Sequence, residues 1–224
     1  MAHLELRSDK HATSLFTAVR RRHYATWGKR TVDLTLALIL LPILAPLIAV
    51  FCLLMRSPAA PGLFAHRRIG QNGVPFTCWK IRTMVPDAES RLADHLAADP
   101  AAAAEWDRTQ KLKNDPRVTP LGRLLRRTSL DELPQIWNVL RGDMSLVGPR
   151  PVTERELDRY GPHARTYLSL KPGITGHWQV HGRSNGCYDE RLHMDQTYAR
   201  QIGLRYDLRL MWNTAFVLIR PTGR

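Results

Sequence analysis

Two adjacent carboxylates, Asp131 and Glu132, lie in a part of the sequence that is rich in arginine. Five arginines surround the pair along the chain: Arg123, Arg126, Arg127, Arg141 and Arg150. A carboxylate can bind a divalent metal or attack phosphorus, and guanidinium groups bind phosphate oxygens through paired hydrogen bonds. These residue types therefore favour chemistry on phosphates.

The same residues also match a structural motif. Ser129 followed three positions later by Glu132 has the spacing of a capping box, and Asp131 in a first helical turn is favoured by the helix dipole. The two interpretations are compatible, because a helix N-terminus also binds phosphate. Pro134 leaves two local geometries open: either the pair occupies a kinked first turn, or the helix begins at Pro134.

The charge of the chain indicates an anionic partner. The 224 residues have a formal net charge of +13, which suits nucleic acid, phospholipid headgroups or a phosphorylated substrate. This length allows one domain, or one domain with an appendage. Three cysteines without metal-ligand spacing indicate free thiols in a reducing compartment.

An apolar run at residues 34–55 contains no charged residue and decides between those partners. At about 1.5 Å per residue, a helix of this length reaches roughly 30 Å, the thickness of a bilayer core. A signal peptide fits poorly, because the run begins late and no small-residue cleavage site follows. A buried helix of a soluble domain is the remaining alternative.

The prolines and flanking charges of this run argue against a simple membrane span. Pro42 and Pro46 each remove a backbone hydrogen bond in mid-run. Basic residues flank both ends: Arg20, Arg21, Arg22, Lys29 and Arg30 before it, and Arg56, Arg67 and Arg68 after it. Because cytoplasmic flanks carry the positive excess, both ends are expected on one side of the membrane. The prediction is a re-entrant helix broken near Pro46, and the alternative is a kinked through-helix.

Local patterns predict the elements that position the acidic pair. Residues 63–68 and 74–83 read as two strands of a hairpin with an Asn-Gly turn. Strand alternation places Lys80 and Arg82 on one face, where they either converge on an anion or form a solvated basic face. A helix rich in alanine is expected from Pro86 to about Lys113, with a break at Asp99–Pro100.

Two further segments carry basic residues. A short basic helix, LGRLLRR, follows Thr119-Pro120 and suits either a membrane surface or ordinary packing. The glycine-rich segment KPGITGHWQVHGR at 171–183, which ends at Arg183, either cradles a nucleotide phosphate or forms a structural turn.

Several motifs together resemble one family. They are KRTVDLTLALIL at 29–40, HRRIGQNGVPFTCWKIRTM at 66–84, DPRVTPLGRLLRRTSLDELPQIWNVLRGDMSLVGPRP at 115–151, KPGITGHWQVHGR at 171–183 and YDLRLMWNT at 206–214. In this order they resemble the bacterial sugar transferases of the monotopic polyprenyl-phosphate phosphoglycosyl transferase family. The similarity is greatest to the short exopolysaccharide-initiating members, of the succinoglycan galactose-phosphate transferase kind.

The resemblance implies a reaction and roles for particular residues. Such enzymes transfer a sugar 1-phosphate, with galactose or glucose expected here, from a UDP-sugar to undecaprenyl phosphate, and they release UMP. Asp131 would be the nucleophile that forms a covalent phosphosugar intermediate, and Glu132 would bind Mg²⁺ together with it. Lys80, Arg126 and Arg150 match basic positions around the phosphates. Asp33 and Pro46 match the re-entrant helix and its break.

The sequence therefore predicts an α+β, mostly helical enzyme with a re-entrant membrane helix, interfacial amphipathic helices and a β-hairpin packed on helices. The expected segments are a basic lead-in at 1–28, the re-entrant helix at 29–56 and a catalytic domain at 57–224. The expected partners are the UDP-sugar, undecaprenyl phosphate and anionic membrane lipids at the cytoplasmic face of a bacterial inner membrane, without nucleic acid, and a homodimer is left open. The alternatives are a membrane-anchored protein that only binds anions and a hydrolase of lipid-linked substrates.

Overall fold

A computed structural model describes residues 23–109, 112–182 and 188–219, and within these ranges the chain is mostly helical, which confirms the α+β class. The helices are α1 (Lys29–Leu54), α2 (Ala88–Ala98), α3 (Pro100–Thr109), α4 (Pro120–Thr128), α5 (Gln135–Arg141), α6 (Glu154–Asp158), α7 (Ala164–Leu168), α8 (His177–His181), α9 (Tyr188–Gln201) and α10 (Leu204–Ile219). The strands are β1 (Leu63–Ile69), β2 (Pro75–Ile81), β3 (Ser145–Val147) and β4 (Gly173–Thr175).

The predicted hairpin is confirmed. β1 and β2 pair antiparallel, and Asn72 and Gly73 in the turn have φ angles of 59° and 78°. Positive φ at both positions is what a type I′ turn requires, which explains the Asn-Gly pair. The register sets His66 opposite Cys78 and Arg68 opposite Phe76. Directly paired residues share a face of the sheet, so Arg68 lies on the same face as Cys78.

The main core is built around α5 and β3. Its buried side chains include Val139 of α5 and Val147 of β3, together with Cys78 of the hairpin, Ala37 of α1 and Leu210 of α10. β3 pairs in parallel with β4. The backbone at Gly148, just after β3, lies very close to Gly173, at the start of β4. A Cβ added to Gly173 would lie 2.1 Å from the backbone nitrogen of Gly148, so only glycine allows this approach. The core thus joins the apolar helix to the segments that carry the acidic pair.

Helix α1 is continuous through both prolines, so the break predicted near Pro46 is wrong. With the preceding turn it forms a 31-residue apolar helix, Tyr24–Leu54, that is long enough to cross a membrane. Only 6% of its most apolar stretch is buried. Its large exposed apolar side chains are Leu38, Ile39, Leu40, Ile43, Val50, Leu53 and Leu54. Such exposure is inconsistent with a buried core helix and suits contact with lipid.

The N-terminal end of α1 is bound to the rest of the molecule by polar contacts. The carboxylate of Asp33 accepts hydrogen bonds from the Ser145 hydroxyl and the Leu146 amide, both at 3.0 Å. Lys29 Nζ lies 2.6 Å from Asp207 Oδ2. Arg30 donates to the carbonyls of Val139 and Leu140 at the end of α5. Two of the basic residues interpreted above as membrane flanks therefore also hold α1 to the part of the chain after residue 57 that is predicted to be catalytic, named the catalytic part below.

The C-terminal half of α1 also contacts the catalytic part. Leu44 and Ile48 pack against the main core. Beyond them the chain turns back, and a Cβ added to Gly62 would lie 1.8 Å from the carbonyl oxygen of Cys52. Gly62 in turn accepts a backbone hydrogen bond from Arg82, just after β2. Both ends of the helix therefore lie against the same body.

The alanine-rich and basic helices are also confirmed, although the alanine-rich region ends as a helix at Thr109 and residues 112 and 113 are not helical. The alanine-rich region forms α2 and α3, and Asp99 Oδ1 accepts hydrogen bonds from the first amides of α3. The basic helix is α4, where the Thr119 hydroxyl accepts a hydrogen bond from the Gly122 amide, as an N-cap does. Its outward side includes exposed Leu124 beside arginines. This arrangement is compatible with the predicted membrane-surface role.

Candidate active site

The acidic pair lies in a short 3₁₀ turn, Leu130–Glu132, between α4 and α5. Ser129 has a φ of 58°, in the left-handed region, and ends α4 instead of capping the next helix. Its side chain makes no capping hydrogen bond, so the capping-box interpretation is wrong. Of the two geometries left open by Pro134, the structure has the second, because α5 begins directly after that proline.

Glu132 is held by cations. Lys80 Nζ of β2 lies 2.5 Å from Glu132 Oε1, and Arg150 Nη1 lies 4.0 Å from the same oxygen. Burial alone would raise the pKa of Glu132, but the charges of Lys80 and Arg150 lower it below its usual value. Glu132 is therefore ionised at neutral pH, and its second oxygen is left for another ligand.

Asp131 has a different environment. Its residue is only 8% exposed, and no salt bridge involves it within the part of the chain that the structure describes. Burial and the neighbouring charge of Glu132 raise the pKa of Asp131 to about 6. A carboxylate that is poorly compensated in this way is a better nucleophile than one locked in an ion pair.

A cleft lies beside Glu132, where the hairpin, α5, the segment after β3, β4 and α8 meet, and the adjacent Asp131 is not one of its lining residues. It is lined by Arg68, Cys78, Lys80, Glu132, Gln135, Arg150, Pro151, Gly173, Ile174 and Gln179. Three of these side chains are cationic, whereas only Glu132 is anionic. A cleft with this charge balance favours an anionic ligand such as a phosphate.

The structure brings some of the predicted site residues together and separates others. Lys80 and Arg150 converge on Glu132, and the charge of Arg126 acts on Asp131 while its Nε donates to the Thr83 hydroxyl at 2.8 Å. Arg82 is directed elsewhere: its Nε donates to the Pro61 carbonyl at 2.8 Å, and its guanidinium lies 5.3 Å from the centre of the Phe64 ring. Arg183 lies outside the described residues.

Sequence reasoning missed three polar residues that line the cleft: Arg68, Gln135 and Gln179. The signal for Arg68 was present, because the Asn-Gly turn sets the hairpin register and places Arg68 on the face of Cys78 and Lys80. Gln135 and Gln179 left no such signal, since only long-range packing brings α5 and α8 to the same cleft.

The segment predicted as a glycine-rich loop is instead strand β4 followed by helix α8, up to residue 182. Its glycines serve close backbone packing: a Cβ on Gly176 would lie 2.0 Å from the Gly148 carbonyl oxygen. Gly173, Ile174 and Gln179 of this segment line the cleft. The segment is therefore a strand and a helix that also form one wall of the cleft, and its contact with a phosphate stays a prediction.

Comparison with known proteins identifies the family of the chain. A family model described as bacterial sugar transferase matches residues 24–221. The chain is 45% identical over 195 residues to an undecaprenyl-phosphate galactose phosphotransferase of Salmonella typhimurium, which is 87% of this chain and 41% of that protein. The corresponding values are 44% over 188 residues for the exopolysaccharide production protein ExoY of Sinorhizobium fredii, with 84% of this chain and 83% of that protein covered.

A third relative is the UDP-glucose:undecaprenyl-phosphate glucose-1-phosphate transferase of Escherichia coli K12, at 34% identity over 197 residues, 84% of this chain and 39% of that protein. The chain thus spans about two fifths of the length of the Salmonella and Escherichia relatives. The match of the family model covers the apolar helix, the hairpin, the acidic pair and the cleft in one stretch. This chain belongs to the bacterial sugar transferase family.

Proposed function

We propose that this protein transfers a sugar 1-phosphate from a UDP-sugar to undecaprenyl phosphate and releases UMP, as the first membrane step of exopolysaccharide synthesis. Galactose and glucose are the sugars that the names of the relatives suggest. The observation that carries the proposal is the unequal pair beside a cationic cleft. Glu132 is ion-paired with Lys80, whereas Asp131 is buried without a salt bridge among the described residues.

The proposed first step uses Asp131 as the nucleophile. A carboxylate oxygen of Asp131 bonds to the phosphorus that carries the sugar, and the bond from that phosphorus to the bridging oxygen breaks, so that UMP leaves with the electron pair. In the second step an oxygen of undecaprenyl phosphate attacks the same phosphorus, and the Asp131 carboxylate is released. Neither step requires net proton transfer, and one difficult exchange is divided into two easier ones.

The cations of the cleft make an anionic attack on an anionic substrate feasible. The two phosphates of a UDP-sugar repel Asp131. The positive charges of Lys80, Arg126 and Arg150, which are in place before the substrate binds, reduce that repulsion. Groups that are already fixed around a developing charge stabilise it without having to reorganise. In many enzymes this electrostatic stabilisation is the largest single contribution to the rate enhancement. Lys80 also keeps Glu132 in place, since the two groups are 2.5 Å apart.

The residues present fit a Mg²⁺ ion. Mg²⁺ is commonly bound by one or two carboxylates together with substrate phosphates, and Asp131 and Glu132 supply that pair. Within the part of the chain that the structure describes, no group of three or more His, Cys, Asp or Glu residues forms a metal site, so a substrate would complete the ligand set. When bound, the ion would neutralise phosphate charge, while the second oxygen of Glu132 would orient it.

The contacts of α1 support a re-entrant position at the cytoplasmic face. A helix that crossed the bilayer would carry its C-terminal half away from the catalytic part, but Ile48 and Cys52 lie against that part. Cysteine-accessibility labelling is the test: positions near Ser8, which is outside the described residues, and near Asp115 should both resist a periplasmic reagent. Labelling near Ser8 would instead indicate a through-helix. Leucine at Pro42 and Pro46 together would restore the two backbone hydrogen bonds that these prolines remove from α1, and should favour spanning.

The decisive experiment measures UMP release from a panel of UDP-sugars in detergent with Mg²⁺. The proposal expects release with one sugar, and enzyme incubated with donor labelled in the sugar should retain acid-precipitable label that undecaprenyl phosphate discharges. Initial rates with both substrates varied should give parallel lines. Intersecting lines without trapped label would support direct attack by the lipid phosphate. Net release of free sugar phosphate would indicate a hydrolase, and no turnover at all would favour an anion-binding protein.

A further inference from the structure

Arg68, on β1, lines the cleft but was not among the predicted site residues. Its side chain is 12% exposed, and its Nη1 donates to Glu156 Oε2 at 2.8 Å and to the Pro151 carbonyl at 3.4 Å. Its Nη2 lies 3.2 Å from His66 Nδ1. The guanidinium is therefore held from two sides while it borders the cleft.

The contact with His66 has a defined direction. Burial, followed by the charges of Arg68 and Lys80, lowers the pKa of His66 to about 4, so the imidazole is neutral at pH 7. An arginine can only donate hydrogen bonds, and Nδ1 of the neutral ring must then be the acceptor. His66 therefore orients Arg68 and adds no further positive charge to the cleft.

Glu156 is the residue that links the two arginines of the cleft. Its position is set at the start of α6 by a capping box, in which the Thr153 amide donates to Glu156 Oε2 at 2.8 Å. Besides Arg68, it contacts Arg191, whose Nη1 lies 3.8 Å from Glu156 Oε1. Arg191 Nη2 donates to the backbone carbonyl of Arg150 at 3.1 Å. One carboxylate thus holds Arg68 directly and the backbone of Arg150 through one intermediate.

A purely structural role does not explain the location of Arg68. Burial and the charge of Arg150 lower the pKa of Arg68, although Glu156 opposes this effect. A buried arginine that served packing alone would gain stability from a position away from other cations. Its position beside Arg150 and Lys80 is instead suited to a ligand that carries several negative charges.

We propose that Arg68 is a further phosphate-binding residue of the cleft, and that Glu156 is a positioning residue that orients Arg68 and Arg150 toward the diphosphate of the donor. This inference rests on the proposed function, because the donor is taken to be a nucleoside diphosphate sugar. It adds to that function a defined support for the phosphate-binding side chains, built from the capping box of α6.

The first test compares Glu156→Gln with Glu154→Gln. Glutamine also completes a capping box, so Glu156→Gln removes the charge that holds Arg68 and preserves the start of α6. Glu154 lies in the same helical turn with an exposed side chain, and its substitution removes the same charge. The Kd for UDP, measured by titration calorimetry in detergent, should rise about tenfold in Glu156→Gln and stay within twofold in Glu154→Gln.

The second test compares Arg68→Lys with Arg67→Lys. Lysine keeps the charge and loses the guanidinium fork, while Arg67 is an exposed neighbour on the opposite face of β1. The Kd for UDP should rise about tenfold in Arg68→Lys alone, and the KM for the UDP-sugar should rise with little change in kcat. Unfolding midpoints of all four variants show whether a loss of binding reflects a loss of folding.

The outcomes separate this inference from the proposed function. Wild-type protein that binds UDP but releases no UMP from any donor would contradict the proposed function, while the effects of the substitutions on the Kd would still decide the inference. Wild-type turnover together with an unchanged Kd and KM in Glu156→Gln and Arg68→Lys would overturn the inference alone. An unchanged Kd with a lowered unfolding midpoint would assign both residues a structural role and would also overturn it.

Discussion

The cleft and the N-terminal end of α1 both contain buried charges, but they balance them differently. At the end of α1, Lys29 is paired with Asp207, and Asp33 accepts two hydrogen bonds. In the cleft, three cations face one carboxylate, and Asp131 is buried beside Glu132 without a salt bridge among the described residues. The charges near α1 are paired within the molecule. In the cleft Arg68 and Lys80 are also paired, but the lining keeps an excess of positive charge and Asp131 has no salt bridge among the described residues.

This difference separates charges that stabilise the fold from charges that serve chemistry. A buried charge with a good partner is costly to disturb, because removal of one partner leaves the other uncompensated. A buried charge that is poorly compensated already lowers stability, and its removal should have the opposite effect. The comparison therefore predicts effects of opposite sign on stability for substitutions in the two regions.

The largest expected effect on activity is that of Asp131→Asn. An amide cannot attack phosphorus, so UMP release should fall at least about 10³-fold. Because the raised pKa shows that ionisation of Asp131 is unfavourable in the folded protein, the same substitution should raise the free energy of unfolding at pH 7, by about 1–2 kcal/mol. UMP release and denaturant unfolding in detergent measure the two effects. Asp94→Asn, at an exposed position on α2, is the control. Substantial turnover in Asp131→Asn would refute the nucleophile assignment.

Asp207→Asn should have the largest effect on stability. It leaves the buried Lys29 without its counter-ion, and the loss of a buried partner costs about 3–5 kcal/mol. Tyr24 donates to Oδ2 and Tyr198 to Oδ1 of Asp207, so the single amide oxygen of asparagine can accept from only one of these hydroxyls, which adds to the loss. Unfolding in detergent should show the loss, while kcat per folded molecule changes little. A variant of wild-type stability with lost turnover would reverse the distinction between the two regions.

Glu132→Gln should lower activity about 10- to 100-fold, chiefly through metal binding, because an amide is a weaker ligand for Mg²⁺ than a carboxylate. Turnover measured over a range of Mg²⁺ concentrations should recover in part at high concentration. Since Lys80 then loses its ion-pair partner, the recovery should be incomplete. Wild-type activity at ordinary Mg²⁺ would mean that Glu132 does not bind the metal.

The smallest expected effect is on the pH dependence. Asp131 must be ionised to attack, and its pKa is raised to about 6, so kcat/KM should fall about tenfold per pH unit below that value. Stability should change in the other direction: a raised carboxyl pKa destabilises the fold as pH rises toward 6, and protonation relieves this. When rates are measured from pH 5 to 8, the pH at which kcat/KM begins to fall should decrease as the Mg²⁺ concentration increases. If kcat/KM falls at the same pH at every Mg²⁺ concentration, the metal does not contact Asp131.

Two predictions based on local patterns, the hairpin and the break between α2 and α3, agree with the structure. The hairpin depends on a turn whose two residues accept positive φ, and the break between α2 and α3 depends on Asp99–Pro100. Both features are decided within a few residues. The acidic pair was also recognised locally, from its two carboxylates among arginines, although the roles assigned to Asp131 and Glu132 came from the family resemblance.

Predictions that required distant residues were less complete. The spacing of Ser129 and Glu132 fits a capping box, but Ser129 instead ends α4, and nothing in the spacing distinguishes these uses. Lys29 was interpreted as a membrane flank, because its partner Asp207 is 178 positions away. The alternation rule placed Arg82 beside Lys80, yet β2 ends at Ile81 and Arg82 binds Pro61. Long-range packing decided each of these cases.

The separation of Lys29 and Asp207 along the chain has a consequence for biosynthesis. Translation adds about 5–20 residues per second, so Asp207 is made roughly 10–35 seconds after Lys29. During that interval Lys29 has no counter-ion from the C-terminal helix, whereas the apolar face of α1 can already partition into the membrane. We therefore expect the nascent chain to enter the membrane first and to complete the cleft afterwards, so that catalytic competence arises only at the bilayer, where the proposed lipid acceptor would be.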